Sequence, residues 1–220
     1  MSWLAGTLGS SIGRKFVMGL SGLALWFYLV VHLAGNLAFF IGQDAFNGYA
    51  HFLESLPIVR PVELGLAAVF LLHIILGFTL AISNRVARAG RYAVRGTKSS
   101  NTLSSKTMIF SGIITLAFLI IHLLQFRFAD VAMDAHGHKD FYSINIAVFS
   151  NVLYCGWYVL AVSVLAFHVG HGFQSAFRSI GFQHDKYQPL VRFVGLAAAV
   201  IFSLGFSSIP LWVILAGKGA

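Results

Sequence analysis

The sequence is poor in the residues that cross-linking, phosphate binding and solubility in water require. A single cysteine, Cys155, among 220 residues excludes an internal disulfide and a thiolate-bound iron–sulfur cluster. Neither G-x-G-x-x-G nor G-x-x-x-x-G-K-[ST] occurs, so no loop of those kinds cradles a dinucleotide or a nucleoside triphosphate. Charge is scarce at 10% of residues, and acids are scarcest, seven against fifteen basic residues for a net charge of +8. A soluble domain carries about 25% charged residues. What is abundant is apolar: 58% of the chain is hydrophobic. A compact fold of that composition has an apolar outer surface, the normal state of a polytopic membrane protein. The positive charge is therefore not the footprint of a nucleic-acid-binding protein.

A bilayer core of about 30 Å takes roughly 20 apolar residues as helix. Five stretches supply them: Phe16 to Ile41, Pro61 to Ser83, Met108 to Phe128, Ile144 to Phe177 and Leu190 to Ala216. The expected fold is an all-α integral membrane bundle of five transmembrane helices, one domain over residues 1–220. No repeat of fixed period stands out. The first stretch follows Arg14 and Lys15 as a signal peptide would, but it is too long for one and lacks a small-residue cleavage pattern, so it reads as a mature helix. Between the first two spans, Phe46, Tyr49, Ala50 and Leu53 recur at helical spacing among Asp44, Asn47 and Glu54. That pattern predicts a short interfacial helix.

Loop charge sets the direction. The N-terminal segment and the loops Asn84 to Thr107 and Arg178 to Arg192 hold eleven basic residues, Arg14, Lys15, Arg85, Arg88, Arg91, Arg95, Lys98, Lys106, Arg178, Lys186 and Arg192, against Asp185 alone. The other side holds Arg60, Arg127, Lys139 and Lys218 with six of the seven acids. By the positive-inside rule the N-terminus is cytoplasmic and the C-terminus outside. The basic loops read as positive-inside anchors or as a docking face for an acidic or polar partner.

Nine histidines are present, and His32, His73, His122 and His168 lie one per span on four of the five spans. Ionisable groups are costly at such depth and point to function, although a single such imidazole also serves as an interhelical hydrogen bonder. At about 1.5 Å per residue, His32 and His122 lie roughly 24 Å from the inner ends of their helices; His73 and His168 lie roughly 15 Å and 14 Å from theirs. Equal depth pairs them, and facing imidazoles at one level are the axial ligands that a six-coordinate, non-covalently held haem b requires. Two levels about 10 Å apart mean two haems and argue against one four-histidine zinc or copper centre, which needs its ligands at one point. Gly35, Gly77 and Gly172, each one turn from a histidine on its own face, offer room for a ring or for helix packing; Phe126 fills that position after His122. His171, one turn below His168, is assigned a propionate or partner-facing role. His51 and His184 read as ordinary loop histidines with the alternative of a propionate or quinone contact, and His136 and His138 as part of a solvated outer turn.

These residues carry a family resemblance. The strings Ser10-Ser-Ile-Gly-Arg-Lys15, His32-Leu-Ala-Gly-Asn-Leu37, Phe46-Asn-Gly-Tyr-Ala-His-Phe52, Asn84-Arg-Val-Ala-Arg88, Phe167-His-Val-Gly-His-Gly-Phe-Gln-Ser-Ala-Phe177 and His184-Asp-Lys-Tyr187, in this order on five spans, resemble the di-haem cytochrome b (b558-type) membrane anchor of succinate:quinone oxidoreductases, the succinate dehydrogenases and fumarate reductases. The resemblance implies two haems b stacked across a bacterial cytoplasmic membrane, with the family's four ligand positions falling on His32, His73, His122 and His168. It also implies a flavoprotein subunit that interconverts succinate and fumarate, and an iron–sulfur subunit docked on the cytoplasmic face. Electrons would pass between that subunit, the haem of His73 and His168, the haem of His32 and His122, and a membrane quinone of the menaquinone type.

Propionates are anionic and need cations at the membrane boundary. Candidates are Arg14, Lys15, Arg88, Lys106, Arg178 and His171 for the inner haem and Arg127, His51 and Tyr49 for the outer, set against plain snorkelling of the basic ones. Quinone chemistry also needs protons, and no carboxylate lies deep in a span. The candidate groups are His51, Glu54 and Glu63 outside, and Ser104, Ser105 and Lys106 inside. The alternatives are the cytochrome b anchor of a hydrogenase or formate dehydrogenase and a haem-free anchor or transporter.

Overall fold

The structure, a computed structural model, describes residues 6, 9–86 and 103–216. Among the described residues it is helical, with one isolated β-bridge between Met133 and Lys139. Among the described residues seven α-helices follow one another: α1 (Ser11–Asn36), α2 (Gln43–Ser55), α3 (Val59–Val86), α4 (Leu103–His122), α5 (Phe141–Phe149), α6 (Val152–Ser179) and α7 (Gln188–Leu215). A 3-10 turn, Leu37–Phe40, extends α1, and a π-helical segment, Leu123–Arg127, extends α4. Among the described residues, five segments are long and apolar enough to cross a membrane: Ser11–Phe40, Val59–Val86, Thr107–Arg127, Val152–Ser179 and Gln188–Leu215.

Local chemistry accounts for the helix ends. The Ser10 hydroxyl accepts the Gly13 N–H at 3.0 Å and starts α1, an N-cap. Pro189 stands in the first turn of α7, where its missing N–H costs nothing. The expected fourth span, Ile144 to Phe177, is corrected: the structure divides it into α5 and α6. Asn151 is the cause. Its side chain accepts the N–H groups of Leu153 and Tyr154 at 2.9 Å and 3.3 Å, opening a new helix inside a stretch that hydropathy reads as continuous.

Helix α6 is the centre of the bundle, packed against α1, α4 and α7 and burying ten residues from Cys155 to Ala176. Against α7 the backbones meet closely: a Cβ at Gly195 would lie 3.0 Å from the Gly170 carbonyl oxygen, the small-residue contact that replaces hydrophobic driving force in lipid. Two apolar clusters flank this seam. One joins Leu33, Leu165, Val169, Ala198 and Phe202; the other, towards α2, joins Phe39, Phe46, Phe149, Tyr158, Ile209 and Val213. Helix α3 buries only Leu76 and leans on α1, so much of its surface is left for lipid.

At the end where α2 lies, a polar knot closes the bundle. Asn47 is fully buried; its amide donates to Asp134 Oδ2 at 3.0 Å and Asp140 Oδ1 at 2.9 Å, and its carbonyl accepts the Tyr142 N–H at 3.0 Å. Asp134 Oδ1 accepts the N–H groups of His136 and His138, each at 2.9 Å, and Gly137, at φ +76°, lets that turn close. The turn expected to be merely solvated is thus tied to α2, with the His138 ring stacked on His51 at 4.1 Å and Lys139 paired to Glu54 at 2.8 Å.

Burial works against charge on Asp134, but the His138 N–H, the Asn47 amide and the His136 N–H outweigh it and hold the carboxyl below its ordinary value of 3.8. Burial likewise opposes charge on Asp140, and Ser143, Asn47 and Gln43 overcome it with the same net lowering. Lowered folded values mean that the stabilisation is whole above the unfolded value, near pH 4, and is lost as pH falls through the folded ones. Hydrogen exchange across the 134–142 segment, corrected for intrinsic rate, is therefore expected to lose protection between about pH 6 and about pH 3; equal protection at both would contradict the knot.

Candidate functional site

The four span histidines come together in two pairs. His73 on α3 and His168 on α6 have ring centroids 6.5 Å apart at an interplanar angle of 73°. His32 on α1 and His122, the last residue of α4, have theirs 6.0 Å apart at 85°. Among the described residues no group of three or more His, Cys, Asp or Glu converges, so each level presents two rings and no more.

The His73–His168 pair is held by serines. Ser21 Oγ lies 3.1 Å from His73 Nδ1 and donates its own proton to the Met18 carbonyl at 3.0 Å. Ser111 Oγ lies 3.0 Å from His168 Nδ1 and donates to the Met108 carbonyl at 3.0 Å. A hydroxyl has one proton. In the Nδ1–H tautomer each serine oxygen accepts from the ring while its own proton goes to the carbonyl, and the lone pair of each ring then lies on Nε2. The next residue in both cases is glycine: a Cβ at Gly22 would stand 3.4 Å from His73 Cε1, and one at Gly112 3.3 Å from His168 Cε1.

The second pair is set in aromatics. Tyr28 stacks on His32 with centroids 5.3 Å apart and Phe206 lies at 5.6 Å. Phe118, Phe126 and Tyr158 surround His122 at 5.7, 5.2 and 6.1 Å. Asn36 donates to the His32 carbonyl at 2.8 Å, while its amide nitrogen is only loosely placed over the ring, 3.4 Å from Nδ1. His122 Nδ1 is buried and has no hydrogen-bond partner among the described residues. The π-helical turn begins at the next residue, a feature frequent at functional sites; within it Gln125 Oε1 accepts the Tyr158 hydroxyl at 2.7 Å.

The remaining candidates are dispersed. Arg14 Nε is buried and unpartnered among the described residues, whereas Lys15 and Arg178 are exposed and His171 is half-buried. Arg127 pairs with Glu63 at 3.0 Å, and Arg60 reaches the same oxygen at 3.4 Å, so neither Arg127 nor Glu63 joins His51 or Tyr49. Arg88 lies outside the described residues, as do the side chains of Ser104, Ser105 and Lys106. The glycines expected beside the histidines face other groups: Tyr49 Cε1 would be 2.8 Å from a Cβ at Gly35, Met18 Cε 3.6 Å from one at Gly77, and Gly172 borders open space among the described residues. Gly22 and Gly112 abut the rings instead. Sequence reading passed over them and their serines, although a signal existed. Ser21-Gly22 precedes His32 by the same interval at which Ser111-Gly112 precedes His122.

Five apolar crossings around paired, half-buried imidazoles define the class as a multi-pass membrane protein built on a histidine-lined bundle. The chain is similar to the succinate dehydrogenase cytochrome b558 subunit of Bacillus subtilis (strain 168), 30% identical over 149 residues that make up 67% of this chain and 69% of that protein. It belongs to the family of succinate dehydrogenase cytochrome b558 subunits, membrane anchors in electron transport. No protein-family model matches the chain, and no solved structure matches it.

Proposed function

We propose that this protein is the di-haem b anchor of a succinate:quinone oxidoreductase and relays electrons between a cytoplasmic iron–sulfur subunit and a membrane quinone. The observation that carries this reading is the pairing of four imidazoles, one from each of four helices, at two sites. An ion bonded to one nitrogen of each ring at about 2 Å would keep the centroids about 6 Å apart, and the two pairs stand at 6.5 Å and 6.0 Å. The chemistry of the donors fits as well: with Nδ1–H donated to a serine oxygen, Nε2 is the lone-pair nitrogen of His73 and His168, and His122 keeps a buried nitrogen without a partner among the described residues.

His73 and His168 are the ligands of the inner haem, and His32 and His122 those of the outer. When bound there, haem b would supply one-electron chemistry, one group held by His73 and His168 and the other by His32 and His122. The chain's own residues orient the ligands, exclude water with the aromatic collar of Tyr28, Phe118, Phe126 and Phe206, and neutralise charge. Arg14 offers a buried cationic nitrogen to an inner propionate, with Lys15, Arg88, Lys106, Arg178 and His171 as further groups at that end. Tyr49, His51 and Arg127 are the corresponding groups at the other end.

Quinone, of the menaquinone type, exchanges protons at a membrane boundary. His51, Glu54 and Glu63 serve if the site is at the α2 end, and Ser104, Ser105 and Lys106 if it is at the inner face. The basic loops orient the N-terminus to the cytoplasm of a bacterial inner membrane and receive the iron–sulfur and flavoprotein subunits, where succinate and fumarate are interconverted; α2 rests at the outer interface. A reduced-minus-oxidised optical spectrum with haem quantitation on the purified complex tests the reading. The expected result is b-type bands, two haems per chain and a co-purifying flavin dehydrogenase. Absence of b-type bands removes the relay, and a hydrogenase or formate dehydrogenase in place of the flavoprotein reassigns the partner.

A further inference from the structure

Ser21 and Ser111 occupy equivalent places in two similar halves of the bundle. Residues 21–32 read SGLALWFYLVVH and residues 111–122 read SGIITLAFLIIH. Each string carries serine and glycine at its start, histidine at its end, and an aromatic ring, Tyr28 or Phe118, stacked one turn before that histidine. In each half the serine reaches across to the histidine of the following span, Ser21 to His73 and Ser111 to His168. The glycine beside it lets the helix backbone lie against the Cε1 of the same ring, where a Cβ would stand 3.4 Å and 3.3 Å away. Hydroxyl and backbone together clasp the Nδ1–Cε1 edge of both imidazoles. The Nε2 edge is the one left available.

Nothing comparable holds the other pair. His122 Nδ1 has no partner among the described residues, and the Asn36 amide nitrogen, 3.4 Å from His32 Nδ1 and 3.5 Å from its Nε2, is itself a donor and so unable to accept from Nδ1–H.

We infer that Ser21 and Ser111 are positioning residues that hold His73 and His168 in the Nδ1–H tautomer and, through that hydrogen bond, tune the iron those rings share. The inference rests on the reading that His73 and His168 ligate one haem. An acceptor on Nδ1–H raises the basicity of the ligating nitrogen and locks the ring's orientation, and loss of such a partner typically lowers affinity for the bound metal by roughly 10- to 100-fold. A more basic ligand favours the oxidised iron. Removal of the hydroxyl therefore raises the midpoint potential of the inner haem.

The test uses the full complex with Ser21→Ala, Ser111→Ala, Ser21→Thr and Ser111→Thr, measured by haem content, potentiometric titration and electron paramagnetic resonance of the ferric state. The inner haem is identified as the one lost in His73→Ala. Each alanine variant is expected to shift the inner potential upwards, alter that haem's low-spin signal and weaken its retention by roughly 10- to 100-fold, with the outer haem unmoved. Each threonine variant, which keeps the hydroxyl, restores the wild-type signal. Alanine variants with an unchanged inner potential and signal, variants that move both haems equally, or threonine variants that fail to restore would overturn the role of the serines. Those three results leave two haems in the wild-type protein, whereas a wild-type complex without b-type bands overturns the reading beneath.

Discussion

Replacing His73 or His168 with alanine is expected, on the proposed di-haem reading, to lower haem content from two per chain to one, and the haem that survives should be the same in both variants. Replacing His32 or His122 should remove the other. The selectivity follows from which rings face each other: each pair is drawn from two different helices, and centroid separations of 6.5 Å and 6.0 Å leave every ring one partner at its own level. None of the four histidines belongs to either apolar cluster, and the close seam of α6 with α7 at Gly170 and Gly195 does not involve them. The bundle should therefore persist when one is truncated. Haem quantitation with redox titration of the four variants is the check. Equal loss of both haems from folded protein in every variant would break the pairing.

Asn47→Leu is expected to lower the stability of the α2 end of the bundle strongly. The leucine fills nearly the same volume but withdraws the amide from between two carboxylates and leaves the Tyr142 N–H without its acceptor. The half-buried Tyr142 N–H, left without its acceptor, costs about 1–3 kcal/mol. The loss should be local at first, because Asn47 is the fully buried member of the contacts that join α2 to the 134–140 turn and to the start of α5. Thermal unfolding in detergent should show a lowered transition, and limited proteolysis should cut between Phe128 and Phe141 before the spans are attacked. A variant with wild-type melting and protease resistance would mean that the Lys139–Glu54 pair and the His51–His138 stack suffice to close that end.

The five crossings and the histidine levels were legible in the sequence for one reason. Hydropathy and helical rise are local properties, so Val59–Val86 or Gln188–Leu215 declares itself whatever surrounds it. The division at Asn151 was not legible, since one capping side chain decides it within an apolar run. Gly35 looked like room for a porphyrin edge because it shares a face with His32, yet Tyr49 from α2 occupies that face, and sequence spacing carries no information about what a distant helix brings. His136 and His138 looked solvated because their neighbours are polar. Those polar groups are spent on Asn47, and the His138 ring on His51.

By itself the sequence determined a multi-pass helical protein of this family, with one histidine in each of four spans, because membrane solvent and helix geometry act on each segment separately. Only the tertiary structure decided which serine lies against which ring, which glycine the ring rests on, and that Asn47 joins the two ends of a loop 87 and 93 residues away. Hydrogen-bond direction and close approach depend on how helices rotate about their axes. That rotation is set by packing across the whole bundle.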